Sequence, residues 1–592
     1  MKVLLYGRQI GSLLRPALVG SVPSESSAHD AGPPSLRGAP LRLNSLASIL
    51  AWLLICAPLT IGAIGAFPIW DDASVWLLFR ERGAGALVAS HPDRPVMAYL
   101  WSSLAISENT FWGAAFFAQA LLWPALGLIT VRLWNHYFPG LRRFAWVAGC
   151  VAVAPLATKV QMVTANVALA SFLSVVLAYA ALVLFLEVIV ARPWARPARL
   201  VAGLLLVAFA VLLQEYALSV ALVMVLLFTA TAWLDGDAVL RRRALRVAGI
   251  VTAVTGLAYL VYFLLADREI RADVHPSYAI KLGIVYWLTL PLKLLSAFWW
   301  GTGGGVADSL SQISFVSAPN IYAAAYGAVV ALLLVCGCRR REVGGDDRAR
   351  PRDVATMLCF VLAFLGGITP MVLMGRIPWE PNDGMSSRFG LPVLPVAAAL
   401  IVFAGVSLVR GRFRALPVLI LGFAAGHAAF IETWWAVRER NTMASLGEAL
   451  QPYVAARAGH TVAIIPLPER SLGPRRQWEL TARLTANWSP AVRQRFWAYR
   501  FGGGSPLYPD EEASRVFGPR GSCRRPQTID REIRLVARRG HVEQLLWAEL
   551  HPDGQVSIEP YCIEARALPG AAARNDRGKA VGSRSLRRQF IG

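Results

Sequence analysis

Residues 45–72 read SLASILAWLLICAPLTIGAIGAFPIWDD. The apolar run from 45 to 67 is long enough for a helix to cross a bilayer core of about 30 Å, which takes about 20 residues. It runs straight into Trp70-Asp71-Asp72, and the loop that follows holds a second charged cluster, His91-Pro92-Asp93-Arg94-Pro95. Paired carboxylates at a membrane boundary are costly to keep unless they have a task.

The rest of the chain has the same character. Its 592 residues are 56% hydrophobic and only 16% charged, with a mean hydropathy of +0.48. A soluble globular chain is rarely so apolar and so poor in charge. Several further windows exceed about 18 largely apolar residues, which points to a polytopic integral membrane protein. The formal charge of +22 would suggest nucleic acid in a soluble protein. Here most of the basic residues are Arg, and many stand in short loops between apolar runs. That is the positive-inside pattern rather than a phosphate-reading surface, so the expected partner is the membrane and not nucleic acid.

Taken in order, residues 1–44 carry Lys2, Arg8, Arg15, Arg37 and Arg42 and a Ser/Pro/Gly-rich stretch, and read as a disordered cytoplasmic N-terminus. No cleavable signal peptide is evident, because the first long apolar run starts near Leu46. Spans are expected at 45–67, 111–133, 144–158 and 166–190. The stretch 200–234 is too long for one span and is broken by Gln214-Glu215-Tyr216, so it reads as two. Further spans are expected at 247–266, 320–337, 354–374, 389–409 and 414–436. Arg142-Arg143, Arg192 to Arg199, Arg241 to Arg246, Arg339 to Arg341 and Arg410 to Arg414 all fall on the cytoplasmic side if the total is about eleven. The segment 267–319 is read as interfacial or re-entrant. Its apolar part, 280–300, contains Lys281, Pro291 and Lys293, and counting it as a span would put the next Arg-rich loop on the wrong side.

Residues 437–592 are hydrophilic. Thr461 to Pro466 reads as a buried strand and Leu546 to Ile558 as a hairpin turning at Asp553-Gly554, with helical patterning around 476–500. The expected organisation is a cytoplasmic terminus (1–44), a transmembrane domain (45–436) with an extracytoplasmic loop (68–110) and an interfacial segment (267–319), an extracytoplasmic α/β domain (437–570) and a disordered tail (571–592). The fold class is an all-α polytopic membrane protein of about eleven transmembrane helices, with a small α/β C-terminal domain. Cys56, Cys150 and Cys359 sit in apolar runs as small core residues, and Cys336-x-Cys338 is too little for a zinc site. Cys523 and Cys562 could pair if the tail is extracytoplasmic.

On this topology three regions share the outer face with Asp71 and Asp72: Asp93-Arg94-Pro95, Glu215 in its break between two spans, and Arg388 in Ser386-Ser387-Arg388-Phe389-Gly390-Leu391-Pro392. Carboxylates and arginines gathered on one face suit a general base beside an anion-binding group. Lys159, Lys281 and Lys293 read first as snorkelling cations and the Trp residues as interface anchors. His91 reads as a turn residue. No zinc motif, Walker loop, dinucleotide fingerprint or nucleophile elbow is visible.

The pattern resembles the GT-C class of bacterial polytopic glycosyltransferases. Members keep an acidic motif after the first helix, here Asp71-Asp72. They often continue that loop with an Arg-Pro step, here Arg94-Pro95. Many carry a Lys-Glu-Tyr-like motif between middle helices, here Gln214-Glu215-Tyr216 with Gln for Lys, and an Arg-aromatic-x-x-Pro motif, here Arg388-Phe389-Gly390-Leu391-Pro392. The resemblance covers residues 45–436. It implies an inverting transfer of sugar from a polyprenyl-phosphate donor to a lipid or glycan acceptor at the extracytoplasmic face of the bacterial inner membrane. Asp71 would be the general base and Asp72 its catalytic partner, with Asp93, Arg94, Glu215 and Arg388 as substrate-binding residues. No certain cofactor follows; a divalent cation, Mg or Mn, would fall to Asp71 and Asp72. Two other classes stay open at this point: a transporter or flippase for a lipid-linked glycan, and a membrane-anchored envelope assembly protein.

Overall fold

The computed structural model describes residues 43–64, 94–104, 108–156, 168–190, 196–234, 237–265, 283–311, 315–338, 351–376, 386–409, 411–466, 488–501, 542–550 and 555–560, with a few isolated positions between. The helices, in chain order, are α1 (Leu43–Ile64), α2 (Pro95–Leu104), α3 (Glu108–Tyr137), α4 (Ala145–Val153), α5 (Leu173–Val190), α6 (Arg196–Leu213), α7 (Tyr216–Leu234) and α8 (Ala238–Leu265). Then come α9 (Ile284–Trp299), α10 (Gly305–Ser311), α11 (Ala318–Cys338), α12 (Pro351–Leu373), α13 (Leu394–Leu408) and α14 (Ala415–Ala455). Among the described residues eight helical stretches are long and apolar enough to cross a membrane: the one ending in α5, then α6, α7, α8, α11, α12, the one ending in α13, and α14.

The expected break in 200–234 falls at Gln214 and Glu215, between α6 and α7. The span expected at 144–158 is shorter as α-helix. It stops at Val153 because Ala154 precedes Pro155 and takes an extended backbone (φ −64°, ψ 144°), as a pre-proline residue is pushed to do. Helix α9 has 16 residues, about 24 Å of rise, less than a bilayer core. Its Ile284, Leu288, Leu292, Leu295 and Trp299 form one exposed stripe.

The bundle is held by small residues at helix crossings. The most extensive contact is α11 against α14. A Cβ added at Gly327 would lie 2.6 Å from the Phe423 carbonyl oxygen, and one at Gly426 would lie 2.9 Å from the Cα of Gly327. In lipid, where apolar side chains gain nothing by leaving solvent, such close backbone approach supplies the packing energy. Cys56, Cys150 and Cys359 are buried, as expected for small core residues. Cys523 and Cys562 lie outside the described residues.

Helix α14 has 41 residues, about 60 Å, roughly twice a bilayer core. It therefore runs past position 436 and supplies Met443, Leu446, Leu450 and Val454 to a second core. That core lies against a four-stranded sheet of β1 (His460–Pro466), β2 (Phe496–Phe501), β3 (Val542–Leu550) and β4 (Val556–Pro560), in the order β2-β1-β3-β4. Strand β1 is parallel to β2 and β3, and β4 is antiparallel to β3. The strand at Thr461–Pro466 is where the sequence suggests, and β3, which starts earlier than expected at Val542, pairs antiparallel with β4; the turn expected at Asp553-Gly554 lies outside the described residues. The helical patterning around 476–500 needs correction at its end: a short helix, α15 (Pro490–Arg493), gives way to strand β2. Phe496 and Ala498 are buried at alternate positions, the period of a strand, and its aromatic residues favour that state.

Candidate functional site

Asp71, Asp72, His91 and Asp93 lie outside the described residues. Arg388 is placed by its backbone, in a 3₁₀ turn over Ser386–Val393. The side chains of Arg94 and Glu215 are both described, and they meet.

Arg94 precedes Pro95, the first residue of α2, a favoured place for proline because its missing N–H would have no helical partner. The Arg94 carbonyl accepts the first bond of that helix from the Ala98 N–H at 3.0 Å. Glu215 sits in the break between α6 and α7. There the Ala217 N–H donates to the Gln214 carbonyl at 3.2 Å and the Leu218 N–H to the Glu215 carbonyl at 3.0 Å. Glu215 is 5% exposed. An ion so deeply buried must be paired. Arg94 Nη2 donates to Glu215 Oε1 at 3.2 Å, and the Tyr262 hydroxyl of α8 donates to Oε2, also at 3.2 Å. Residues far apart in sequence thus share one buried charge cluster. Next to it, the Gln214 side chain is buried and its Oε1 accepts no hydrogen bond among the described residues.

The 3₁₀ turn that carries Arg388 joins this cluster through rings. Phe389, one residue on, stands edge-on to Tyr216 at 6.2 Å between centroids. The turn is pinned from α5, where the Tyr179 hydroxyl donates to the Pro392 carbonyl at 2.6 Å. On the other side of Phe389 the Arg376 guanidinium carbon lies 5.4 Å from the ring centroid, within cation–π range. Arg376 is set in place by the end of α12. Gly375 takes a left-handed backbone (φ 76°). Its N–H donates to the Val372 carbonyl at 2.8 Å, and the Arg376 N–H donates to the Met371 carbonyl at 2.9 Å. That pair of bonds is a Schellman end. Helix α9 closes this side: the Tyr286 hydroxyl donates to the Val372 carbonyl, and Lys293 Nζ stands 3.4 Å from the Tyr286 ring centroid.

Arg94, Glu215 and the Arg388 turn therefore come to one region of the bundle. Arg376, Tyr262 and Tyr216 belong to it as well, although sequence reasoning passed over the first two. For Arg376 a signal was present: Gly375 follows directly on an apolar helix, the mark of a C-terminal cap. Tyr262 carried none, being one aromatic among many on a lipid-compatible helix.

Chemically, the Glu215 carboxylate has both oxygens engaged by the protein and is poorly placed to take a proton. Arg94 is a cation paired with Glu215, with its side chain 16% exposed. A planar guanidinium in that setting suits a carboxylate or a phosphate. Among the described residues no group of three His, Cys, Asp or Glu could hold a metal ion.

No family model matches the chain, and no curated protein matches its sequence. Among solved structures it is similar to the oligosaccharyltransferase of Archaeoglobus fulgidus, crystallised with zinc and sulfate. There the identity is 13% and the TM-score 0.36, over 77% of this chain and 62% of that one. It is also similar to ArnT from Cupriavidus metallidurans in the apo state, at 15% identity and a TM-score of 0.32, over 78% of this chain and 85% of that one. The chain thus spans 62% of the length of the archaeal oligosaccharyltransferase.

Proposed function

We propose that this protein is a membrane glycosyltransferase of the GT-C type, moving a sugar from a polyprenyl-phosphate donor to an envelope lipid or glycan on the extracytoplasmic side of the bacterial inner membrane. The observation that carries the reading is the buried contact of Arg94 with Glu215, beside the turn that holds Arg388. It ties the end of the acidic loop to the break between α6 and α7. Those are the places where the motifs of the resemblance stand.

In the proposed reaction an acceptor hydroxyl attacks the anomeric carbon. A bond forms between that oxygen and the carbon as the bond from the carbon to the phosphate oxygen breaks. The polyprenyl phosphate leaves with the electron pair, and the hydroxyl proton passes to the Asp71 carboxylate. Asp72 orients the acceptor or holds a divalent cation, and Asp93 contacts the sugar. Arg94 and Arg388 stabilise the charge that grows on the departing phosphate. With Glu215 engaged by Arg94 and Tyr262, its part in substrate binding runs through Arg94.

The test is transfer from labelled polyprenyl-phosphate sugars to a membrane lipid extract by the protein in proteoliposomes. Asp71→Asn is expected to lower the rate by a factor of about 10² to 10⁴, the usual worth of a general base. Undiminished transfer by that variant would remove Asp71 from the role.

A further inference from the structure

We propose that the cleft between α9 and α12 admits the phosphate of a lipid carrier from the bilayer, with Lys293 as the cation that binds it. The placement of α9 and the direction in which Lys293 faces carry the inference. That this lipid is the polyprenyl phosphate of the sugar donor rests on the transferase reading above.

Helix α9 lies along the flank of α12. Near its start the Tyr286 hydroxyl donates to the Val372 carbonyl, at the end of α12. Near its finish the Phe298 ring stands edge-on to Phe364, at 5.2 Å between centroids. At 1.5 Å per residue these contacts are about 18 Å apart along α9 and about 12 Å apart along α12, so the two helices run in opposite directions. Since α12 is long and apolar enough to cross a membrane, α9 reaches from one boundary of the bilayer core toward its middle. It turns Ile284, Leu288, Leu292, Leu295 and Trp299 outward. Of its 16 residues only Ala297 is buried. On the opposite side Tyr286, Thr289, Leu290, Lys293 and Leu294 are half-buried. The described residues therefore do not seal α9 against the bundle.

Lys293 belongs to this inner side. A snorkelling lysine stands on the lipid stripe and stretches to the headgroups, whereas this one faces the bundle. Its side chain runs back toward the start of α9, as helical side chains do, and sets Nζ 3.4 Å from the Tyr286 ring centroid. A ring face attracts an ammonium but offers it no lone pair, so its N–H donors are left for a ligand with acceptor oxygens. Among the described residues no carboxylate pairs with Lys293. A cation at membrane depth that faces protein marks a pathway or a site. Past the Tyr286 ring come the cap of α12, then Arg376 over Phe389, and the turn that carries Arg388. An anion at Lys293 thus stands beside the candidate site, on its lipid side. An inorganic anion has no favourable route into so apolar a cleft. A lipid brings its phosphate to the boundary and lays its chain along Leu288, Leu292 and Leu295. Lysine holds such a phosphate as a point charge, without fixing its plane as a guanidinium does, which suits a group that must move on.

The test is equilibrium binding of labelled farnesyl phosphate to the full chain in phosphatidylcholine nanodiscs. Lys293→Gln should weaken binding by roughly ten- to a hundredfold, the usual worth of a hydrogen bond to a charged group. Lys293→Arg keeps the charge and should stay within about threefold of the parent. Should Lys293→Gln fail to accumulate, Lys293→Met keeps the length and the apolar stem and takes its place. Farnesol lacks the phosphate, inorganic phosphate lacks the chain, and phosphatidylglycerol is an ordinary anionic lipid; each should compete at least about tenfold less well. Equal binding by the parent and Lys293→Gln, or full competition by any of the three, would overturn the proposal. In the transfer assay Lys293→Gln should raise KM for the donor by a similar factor and leave kcat within about threefold, because the lysine binds the carrier on entry and not the charge that grows in the transition state. The two readings fail separately. A parent that binds farnesyl phosphate through Lys293 yet transfers no sugar from any donor removes the transferase reading and leaves the lipid-phosphate site. A parent that transfers sugar, with Lys293→Gln unchanged in binding and in KM, removes the site and leaves the transferase.

Discussion

Glu215 was legible as a residue that needs a partner because a charge inside an apolar run is expensive and must be accounted for. What it does was not legible. The sequence offers it as one more substrate ligand; its two oxygens accept from Arg94 and from Tyr262. Those partners stand elsewhere in the chain, one just before α2 and the other in α8, and nothing in the local pattern of either one announces the contact. Arg94 was singled out through the Arg-Pro step, but Arg376 was not, although Gly375 carried the cue. The left-handed backbone at Gly375 costs an L side chain about 1–2 kcal/mol. Gly375→Ala is therefore expected to destabilise the protein by about that much, read as a lowered melting temperature in detergent. Gly375→Asn should be milder, since Asn tolerates that conformation better.

At the level of elements, hydropathy placed the helices well because the bilayer demands a minimum apolar length. The end of α4 and the state of residues 496–501 were harder. A proline stops α4 early, and burial of Phe496 and Ala498 at alternate positions fits β2 as a strand where neighbouring residues read as helix. Helix pairing was not legible at all. The contact of α11 with α14 depends on Gly327 and Gly426 facing each other, and the chain has 49 glycines. Gly327→Leu or Gly426→Val should push these helices apart at a cost of about 1–3 kcal/mol, as overpacking does. Gly249 and Gly256, on α8, have nothing within 4 Å of an added Cβ. Alanine there should be neutral or slightly stabilising. Detergent melting of the four variants, compared side by side, checks the contrast.

For the whole molecule, α14 is the connecting piece. Its first half packs in the bundle, and its second half forms one wall of the core that holds Trp488, Phe496, Leu546 and Ala548. A fragment beginning at residue 437 keeps Met443, Leu446, Leu450 and Val454 and is expected to fold. One beginning at 457 loses all four and is expected to be degraded by dilute protease. Equal resistance of the two fragments would show that the helix is dispensable to that core.

The sequence by itself determined the class of the protein. Apolar length, Arg-rich loops and scarce charge are one-dimensional quantities, and a bilayer reads them directly. It also marked the charged positions that need a reason. Only the tertiary structure decided which of them meet. Glu215 finds Arg94 and Tyr262 because the start of α2, α8 and the break before α7 come together, and Phe389 finds Tyr216 and Arg376 because a 3₁₀ turn and a Schellman end converge. Such contacts depend on how helices pack side by side. In lipid that packing is set by the shapes of small side chains rather than by a hydrophobic pattern that could be read along the chain.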